Sequence, residues 1–328
     1  MVRLLIYQRT YLRISNRLSD LAGVAFIVFN DDGTLNIDGR AIESKDAKPD
    51  AAWFALDLYA APARKAFLKL LLNVPTLQWV QLPGAGVEHP DYVELFTHGL
   101  RLTTSHGHAA SIAEYVLAGV LDHFQRGPER RTAQANRVWR PIFFREVSGS
   151  NWLVVGFGAI GQGVAARARA FGAKITAVRR DLSPHALADS LAPMSDLLNL
   201  LPQADVVVLC LPLNAGTANL VNEPFLAAMK AGSVLVNVGR GGLVDETALL
   251  TALDAGKPEH AVLDVFQTEP LPGQSPFWSH PRVALTSHGA SVTNNLYPRA
   301  DDIFFENLQR FLTGRALLHE VSALDFGA

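Results

Sequence analysis

The sequence has a single cysteine, Cys210, in 328 residues, and no long uninterrupted apolar run. One thiol excludes an intrachain disulfide and is typical of a reducing compartment. The longest apolar runs, such as VVVLCLPL, are too short to span a bilayer. The opening segment, MVRLLIYQRTYLR, carries charge too early for the apolar core of a secretory signal. We therefore expect a soluble, cytoplasmic protein in which Cys210 is an inert core residue.

A large excess of charge of either sign is also missing, since the formal net charge is −2. This balance gives no reason to expect nucleic acid or an anionic membrane as a partner. What the chain does have is 49% hydrophobic and 18% charged residues, which is a globular composition. The length indicates about two domains.

Short β-branched runs alternate with longer stretches of helical spacing along most of the chain. This alternation predicts an α/β fold with a mainly parallel, doubly wound sheet. Candidate helices include SIAEYVLAGVLDHF, QGVAARARAFG ending at Gly172, and a helix capped by Asp245 and ending at Gly256. The candidate strands are VRLLIYQ, VAFIVFN and LQWVQL in the first hundred residues, then WLVVGF, KITAVR, DVVVLCL, SVLVNV, HAVLDVF and VALTS.

An arginine-rich stretch, RGPERRTAQANRVWRPIFFRE, separates the two series of strands. One interpretation is a solvated surface arm. The other is a subunit contact that delivers an aromatic side chain, such as Trp139, to a neighbouring copy. Elsewhere, we expect His260 and His280 to lie on the surface.

The segment VVGFGAIGQG places Gly156, Gly158 and Gly161 in G-x-G-x-x-G spacing. A strand precedes this turn, a helix follows it, and a second strand ends near residue 179, as in dinucleotide-binding βαβ units. The first glycine makes the tight turn, the second admits a pyrophosphate, and the third lets the helix pack on its strand. The anion would lie on backbone N–H groups at the helix N-terminus, at Ala159 and Ile160.

Positive charge follows the second strand of this unit, in KITAVRRDLS. If the strand extends to Asp181, alternation places Arg179 and Asp181 on one face. A carboxylate at this strand end binds the ribose hydroxyls of NAD, whereas an arginine pairs with the 2′-phosphate of NADP. Because Arg179 and Arg180 come before Asp181, we predict NADP(H), with NAD(H) as the alternative.

Three reactive side chains follow three later strands. Arg240 follows SVLVNV, Glu269 follows HAVLDVF, and His288 follows VALTS. Ligands of open α/β sheets bind at the carboxyl ends of the strands, so this set is expected at the nucleotide edge. An imidazolium can give a proton to a carbonyl oxygen, a carboxylate favours its charged form, and a guanidinium can bind a substrate carboxylate. The set matches reduction of a 2-keto acid.

His106 and His108, in TTSHGHAAS, raise the possibility of a metal site. The pair has no clustered acids or cysteines nearby, so we predict no metal.

The motif order resembles the D-isomer-specific 2-hydroxyacid dehydrogenase family from residue 70 onward. The resemblance rests on LQWVQLPGAGVEHPD, the glycine turn, LCLPLNAGTANLVNEPFLAAMKAGSVLVNVGRGGLVDETALLTAL, AVLDVFQTEPLP, PFWSHPRVALTSH and ENLQRFLTG. It implies that Arg240, Glu269 and His288 are catalytic, with His288 as the proton donor. It also implies that N–H groups at Ala85 and Gly86 bind the substrate carboxylate with Arg240. The cofactor-lining residues that it implies are Leu211, Pro212, Thr217, Val238, Gly239 and Asp264.

The resemblance implies a Rossmann domain, residues 103–295, inserted into a flavodoxin-like substrate domain, residues 1–102 plus 296–328. It also implies a homodimer. Arg179 stands where the family usually has an acid, as in its glyoxylate/hydroxypyruvate reductases. Ser287 replaces the usual proline, and Glu269 differs from the glutamine of related formate dehydrogenases.

The predicted activity is NADPH-dependent reduction of a small 2-keto acid, such as glyoxylate or hydroxypyruvate, to the D-2-hydroxy acid. The alternative is a nucleotide-sensing binding protein similar to the C-terminal-binding co-repressors, because those proteins keep the same three residues. Turnover separates the two interpretations.

Overall fold

A computed structural model describes residues 1–19, 21–87 and 89–326 of the chain. The chain divides into two compact units, the first formed by residues 1–108 with 294–328 and the second by residues 109–293. The boundaries predicted from the sequence were residues 102 and 295. Gly327 and Ala328, which the sequence placed in the substrate domain, lie outside the described residues.

The first unit is built on one seven-stranded sheet in the order β4-β3-β2-β1-β5-β6-β7. Five strands are parallel, and β3 and β4 add an antiparallel hairpin at one edge. Without that hairpin, the strand order is that of flavodoxin-like sheets. The strands are β1 (Val2–Tyr7), β2 (Val24–Phe29), β3 (Leu35–Ile37), β4 (Arg40–Ile42), β5 (Ala51–Trp53), β6 (Trp79–Gln81) and β7 (Arg101–Thr103).

Helices cover both faces of this sheet, which is why its central strands are largely apolar. Phe67 and Leu95 pack on one face, and Phe304 and Leu308 pack on the other. The ring of Phe304 stacks on Trp53 with centroids 3.7 Å apart. The helices of this unit are α1 (Gln8–Arg13), α2 (Ser15–Leu18), α3 (Leu56–Tyr59), α4 (Arg64–Leu72), α5 (Pro90–Thr97) and α12 (Leu296–Leu312).

The second unit contains seven parallel strands in the order β10-β9-β8-β11-β12-β13-β14. This is the doubly wound dinucleotide-binding order with one strand added at an edge. All the strands point the same way, so the loops that follow them meet at one edge of the sheet. The strands are β8 (Asn151–Val155), β9 (Lys174–Val178), β10 (Ser190–Ala192), β11 (Val206–Leu209), β12 (Val234–Asn237), β13 (His260–Leu263) and β14 (Val283–Leu285).

Helices pack on both faces of the second sheet. Val116 and Val164 contribute to the core on one face, and Phe225 and Leu249 contribute to the core on the other. The helices are α6 (Ala109–Phe124), α7 (Gly127–Ala135), α8 (Ala159–Ala170), α9 (Leu197–Leu200), α10 (Glu223–Ala228) and α11 (Glu246–Asp254). The fold class predicted from the sequence is confirmed by these two largely parallel α/β sheets. Among the described residues, no helix combines the length and apolarity needed to cross a bilayer.

Local signals in the sequence also appear in the structure. The Asp245 side chain accepts a hydrogen bond from the Ala248 N–H at 3.0 Å, as a helix N-cap does. Gly172 and Gly256 adopt positive φ angles of 83° and 80° just beyond their helices. The strand before Arg179 ends at Val178, so alternation along it does not extend to Asp181.

The arginine-rich stretch lies on the surface of the second unit. Helix α7 contains no buried residue, and Trp139 is fully exposed, at 101%. His260 contradicts the prediction of a surface position, since it is 8% exposed and stacks on His123 with ring centroids 4.3 Å apart. The prediction failed because His260 is the first residue of a buried strand. The His280 side chain is also largely buried, at 9% exposure.

Candidate active site

The glycine turn connects β8 to α8, with each glycine in a distinct environment. Gly156 has a φ angle of 94°, which side-chain-bearing residues rarely adopt. A Cβ atom at Gly161 would overlap the carbonyl oxygen of Gly156, so only glycine lets the helix approach its strand here. Gly158 differs because a Cβ atom there would meet nothing within 4 Å.

This geometry fits the pyrophosphate of a dinucleotide. Helix α8 begins at Ala159 with Gly158 as its N-cap, and no side chain caps it. The first N–H groups of a helix have no intrahelical partner, so those of Ala159 and Ile160 are placed to bind an anion. The open space beside Gly158 lets that anion approach the backbone closely.

Arg179 and Arg180 follow β9 directly, where the adenosine ribose of a dinucleotide is bound in this fold. The Arg179 Nη2 atom lies 2.9 Å from Oδ2 of Asp181. The other oxygen of Asp181 accepts the Ser183 N–H at 2.9 Å. Hydrogen bonds from Ser183 lower the pKa of the Asp181 carboxyl, and the positive charge of Arg179 adds to this effect. The strand end therefore carries an ionised carboxylate bound to one of two guanidinium groups.

The loop after β11 packs against the glycine turn on one side and against the loop after β12 on the other. A Cβ atom at Gly156 would lie 2.6 Å from the carbonyl oxygen of Cys210. A Cβ atom at Gly239 would lie 2.7 Å from the carbonyl oxygen of Leu211. Leu211 is thus held between two glycines at the nucleotide edge. The remaining predicted cofactor-lining residues of these loops are placed by local bonds: the Thr217 hydroxyl donates to the Pro212 carbonyl at 2.8 Å, and the Val238 N–H donates to Leu209 at 3.3 Å.

Arg240 is positioned by a buried asparagine at the end of β12. Asn237 is 1% exposed, its Oδ1 accepts the Gly239 N–H at 3.1 Å, and its Nδ2 donates to the Arg240 carbonyl at 3.0 Å. The Arg240 guanidinium donates to the Gly239 carbonyl at 2.8 Å. The side chain of Asn237 therefore folds the loop on which Arg240 lies.

Glu269 and His288 form a direct pair. Oε2 of Glu269 lies 2.7 Å from Nδ1 of His288, and Oε1 accepts the Phe266 N–H at 3.0 Å. The side chains are 35% and 51% exposed, respectively, so both are accessible. His288 has a φ angle of 51°, in the left-handed region. An acid–imidazole pair thus lies at the edge of the sheet that carries the glycine turn.

Asp264 is bonded to residues on both sides of His288. It is 3% exposed, and its Oδ1 accepts hydrogen bonds from the Thr286 hydroxyl at 2.6 Å and the Gly289 N–H at 2.8 Å. The Ala290 N–H donates to the same carboxylate at 3.1 Å, and the His288 N–H donates to the Asp264 carbonyl at 2.8 Å. The resemblance implies that Asp264 lines the cofactor, and in the structure its carboxylate also supports the loop of His288.

Ala85 and Gly86 belong to the first unit, in the loop after β6, and are half-buried. Among the described residues, neither N–H group donates a hydrogen bond to the protein. Two adjacent donors without a protein acceptor are suited to an anionic ligand.

The His106 ring lies 3.9 Å from that of His319 in the first unit, measured between centroids. Burial lowers the pKa of His106 to about 4, and the neighbouring His319 adds to this effect. Among residues 1–19, 21–87 and 89–326, no three His, Cys, Asp or Glu side chains are arranged to hold a metal ion.

The sequence analysis missed the residues that hold the reactive side chains in place. Asn237 was not singled out, although a polar residue that ends an apolar strand signals a capping role. The hydrogen bonds of the Gln267 N–H to Glu246 and of the Gln267 side chain to Val244 had no signal in the sequence, because acids and amides are common on protein surfaces.

The comparisons with known proteins agree with this geometry. Residues 117–290 match the model of the D-isomer specific 2-hydroxyacid dehydrogenase, NAD binding domain, family. The chain is 31% identical over 255 residues to glyoxylate/hydroxypyruvate reductase A of Yersinia enterocolitica, which covers 75% of this chain and 80% of the relative. It is 33% identical over 233 residues to the enzyme of the same name from Serratia proteamaculans, covering 69% and 74%.

Solved structures agree over nearly the whole chain. A D-isomer specific 2-hydroxyacid dehydrogenase family protein from Aeromonas salmonicida is 29% identical, with a TM-score of 0.76 and coverage of 98% of this chain and 99% of that one. A D-isomer specific 2-hydroxyacid dehydrogenase from Xanthobacter autotrophicus, solved with NADPH and MES, is 26% identical, with a TM-score of 0.78 and 98% coverage of both chains. This chain belongs to the D-isomer specific 2-hydroxyacid dehydrogenase family, and it is an oxidoreductase with a nicotinamide cofactor.

Proposed function

We propose that this protein reduces a small 2-keto acid, such as glyoxylate or hydroxypyruvate, to the D-2-hydroxy acid, with NADPH as the hydride donor. The observation that carries the proposal is the Glu269–His288 hydrogen bond at the edge of the sheet that also holds the glycine turn. Relatives from Yersinia enterocolitica and Serratia proteamaculans that bear the name glyoxylate/hydroxypyruvate reductase A support this substrate class.

The chemistry divides among three side chains. When bound at the glycine turn, the nicotinamide cofactor would supply the hydride that the carbonyl carbon of the substrate accepts. His288 is bonded to Glu269 through Nδ1, so Nε2 is the atom available to give a proton to the carbonyl oxygen. Glu269 orients the ring through this contact, so that Nε2 is directed away from the carboxylate. Arg240 binds the substrate carboxylate and polarises the carbonyl group.

We assign Ala85 and Gly86 a role in binding the substrate carboxylate through their N–H groups. The support is that neither N–H has an acceptor among the described residues. On this proposal the first unit is the substrate domain and the second unit is the cofactor domain, since the second contains the glycine turn.

The preference for NADP(H) over NAD(H) rests on Arg179 and Arg180. A guanidinium at this strand end pairs with a 2′-phosphate, and Arg179 lies directly beyond β9. The Xanthobacter autotrophicus relative, solved with NADPH, supports the same choice.

We also propose a homodimer that pairs through residues 126–146. Trp139 and Phe143 are 101% and 95% exposed in this segment, and monomeric surfaces seldom leave large aromatic side chains so open. Sedimentation of the wild type as a dimer, and of a Trp139→Ser, Phe143→Ser variant as a monomer, is the expected result. A monomeric wild type would contradict the proposal.

The function is tested by following NADPH absorbance with a panel of 2-keto acids, in the wild type and in His288→Ala. Rapid turnover of small 2-keto acids by the wild type alone is expected. Equal rates in the two proteins would remove His288 from the mechanism. Binding of NADPH, seen by fluorescence, without turnover of any 2-keto or 2-hydroxy acid would reject the proposed reaction.

A further inference from the structure

The loop of Arg240 and the loop of Glu269 are in direct backbone contact. A Cβ atom at Gly241, the residue after Arg240, would overlap the carbonyl group of Phe266. Phe266 is the residue whose N–H donates to Oε1 of Glu269. The two loops can therefore approach this closely only with glycine at position 241.

Two hydrogen bonds from Gln267, the residue after Phe266, join the same two segments. The Gln267 N–H donates to Oε1 of Glu246 at 2.7 Å. The Gln267 side chain donates through Nε2 to the Val244 carbonyl at 2.6 Å. Glu246 is the first residue of α11, where the N-terminal end of the helix favours a negative charge.

Successive N–H groups of one short segment thus hold two carboxylates. The Phe266 N–H orients Glu269, and the Gln267 N–H is bound to Glu246. Glu269 is exposed, so its orientation depends on the position of this segment. A shift of residues 266–267 would move Oε1 of Glu269 and, through Oε2, the His288 ring.

We infer that Glu246 and Gln267 are positioning residues, which fix the Glu269–His288 pair relative to the loop of Arg240. Neither residue touches the reacting atoms in this assignment. The inference rests on the proposed reduction for its catalytic consequence, since Arg240 binds the substrate that His288 protonates. Misplacement of a reacting group by about 1 Å can cost as much as 100-fold in rate.

Three variants test the inference. Gln267→Met keeps the length of the side chain and removes the bond to Val244, whereas Glu246→Ala removes the acceptor of the Gln267 N–H. Glu246→Gln keeps an oxygen at that place and is the conservative variant. Glu223→Ala is the matched control, because Glu223 is the acidic first residue of α10, outside both loops.

We expect kcat for 2-keto acid reduction to fall about tenfold in Gln267→Met and Glu246→Ala. Glu246→Gln and Glu223→Ala should stay within about twofold of the wild type, because each retains the bonds that hold residues 266–267. The NADPH dissociation constant should not change. KM for the 2-keto acid should change less than kcat in the two impaired variants, because Arg240 still binds the substrate while the Glu269–His288 pair is displaced.

A purely structural role predicts a different result. It would lower the melting temperature and the active fraction while kcat per folded molecule stays at the wild-type value, and that outcome would overturn the inference. The NMR chemical shifts of the His288 ring, compared at one fixed pH, give a readout that needs no substrate. Unchanged ring shifts in Gln267→Met and Glu246→Ala would reject the inference, whereas a wild type without any turnover would reject the proposed function instead.

Discussion

The hydrogen bond between Nδ1 of His288 and Oε2 of Glu269, 2.7 Å long, determines which ring nitrogen remains available to a ligand. The Glu269 carboxylate is bonded to Nδ1, and its other oxygen accepts the Phe266 N–H. Nε2 is left as the nitrogen that can exchange a proton with a substrate. The orientation of the ring is therefore set by an acid that is anchored to the backbone.

Loss of the imidazole should cost more activity than loss of the charge on its partner. We expect His288→Ala to lower kcat of reduction by about 10² to 10⁴, the usual contribution of a general acid. Glu269→Gln should cost less, because an amide oxygen can still accept the hydrogen bond from Nδ1 of His288 and hold the ring. Initial rates at saturating NADPH check both variants. A larger loss in Glu269→Gln than in His288→Ala would contradict these roles.

The arginines after β9 should determine the choice of cofactor. We expect Arg179→Ala to weaken NADPH binding about tenfold to 100-fold, because a charge-assisted pair with the phosphate is lost, and to affect NADH much less. Asp181→Asn should improve NADPH binding relative to NADH, since Asp181 lies 2.9 Å from Arg179 and its charge opposes a phosphate. Fluorescence titration with both nucleotides measures the ratio.

Arg169→Ala is the control for these variants, because Arg169 forms a comparable ion pair with Asp189 within the same unit, at 2.6 Å. It should leave the ratio of the two dissociation constants unchanged. Tighter binding of NADH than NADPH by the wild type would overturn the preference.

Two glycines of the same turn should respond differently to the same substitution. At Gly158 a methyl group meets open space, so Gly158→Ala should retain the wild-type melting temperature and lose cofactor affinity. At Gly161 the methyl group would overlap the Gly156 carbonyl, so Gly161→Ala should destabilise the fold by about 1 to 3 kcal/mol. Thermal melts with and without NADPH separate the two effects. Equal melting temperatures would contradict the assignment.

His260 should make the second unit sensitive to acid. Burial lowers its pKa from 6.5 to about 3, and the stacked His123 adds to this effect. Between pH 6.5 and 3, His260 is protonated in the unfolded chain but not in the folded chain. The free energy of unfolding is therefore highest above pH 6.5 and falls as the pH is lowered toward 3. It falls by at most about 1.4 kcal/mol per pH unit.

The measurement is urea unfolding as a function of pH, in the wild type and in His260→Phe, which keeps a ring for stacking. The variant should lose less stability toward acid. His98→Gln changes an exposed histidine and should retain the wild-type slope. Identical slopes in the wild type and His260→Phe would show that His260 does not carry the effect.

The sequence predicted where Arg240, Glu269 and His288 lie better than it predicted the contacts that hold them in place. Arg240, Glu269 and His288 could be placed because each follows a recognisable apolar strand, and parallel strands share a carboxyl edge. The 2.7 Å contact between Glu269 and His288 could not be derived, since it depends on how two loops from different strands fold over each other.

Burial of single polar residues was the weakest inference. His260 begins a strand that is buried along its whole length, yet a histidine beside a glutamate and a proline resembles a surface turn. The residues next to His260 in the sequence do not show which distant side chain will cover it. In the structure that side chain is His123 of α6. The contact of Gln267 with Val244 was hidden for the same reason, because it joins segments 23 residues apart.

The carboxylate of Asp264 also has a consequence for the dynamics of the site. Its acceptors are filled by the Thr286 hydroxyl and by the N–H groups of Gly289 and Ala290. Opening the loop of His288 would leave a buried carboxyl group without partners, at a cost in free energy. We therefore expect the amide hydrogens of Gly289 and Ala290 to exchange slowly with deuterated solvent, because they are released only when this loop opens.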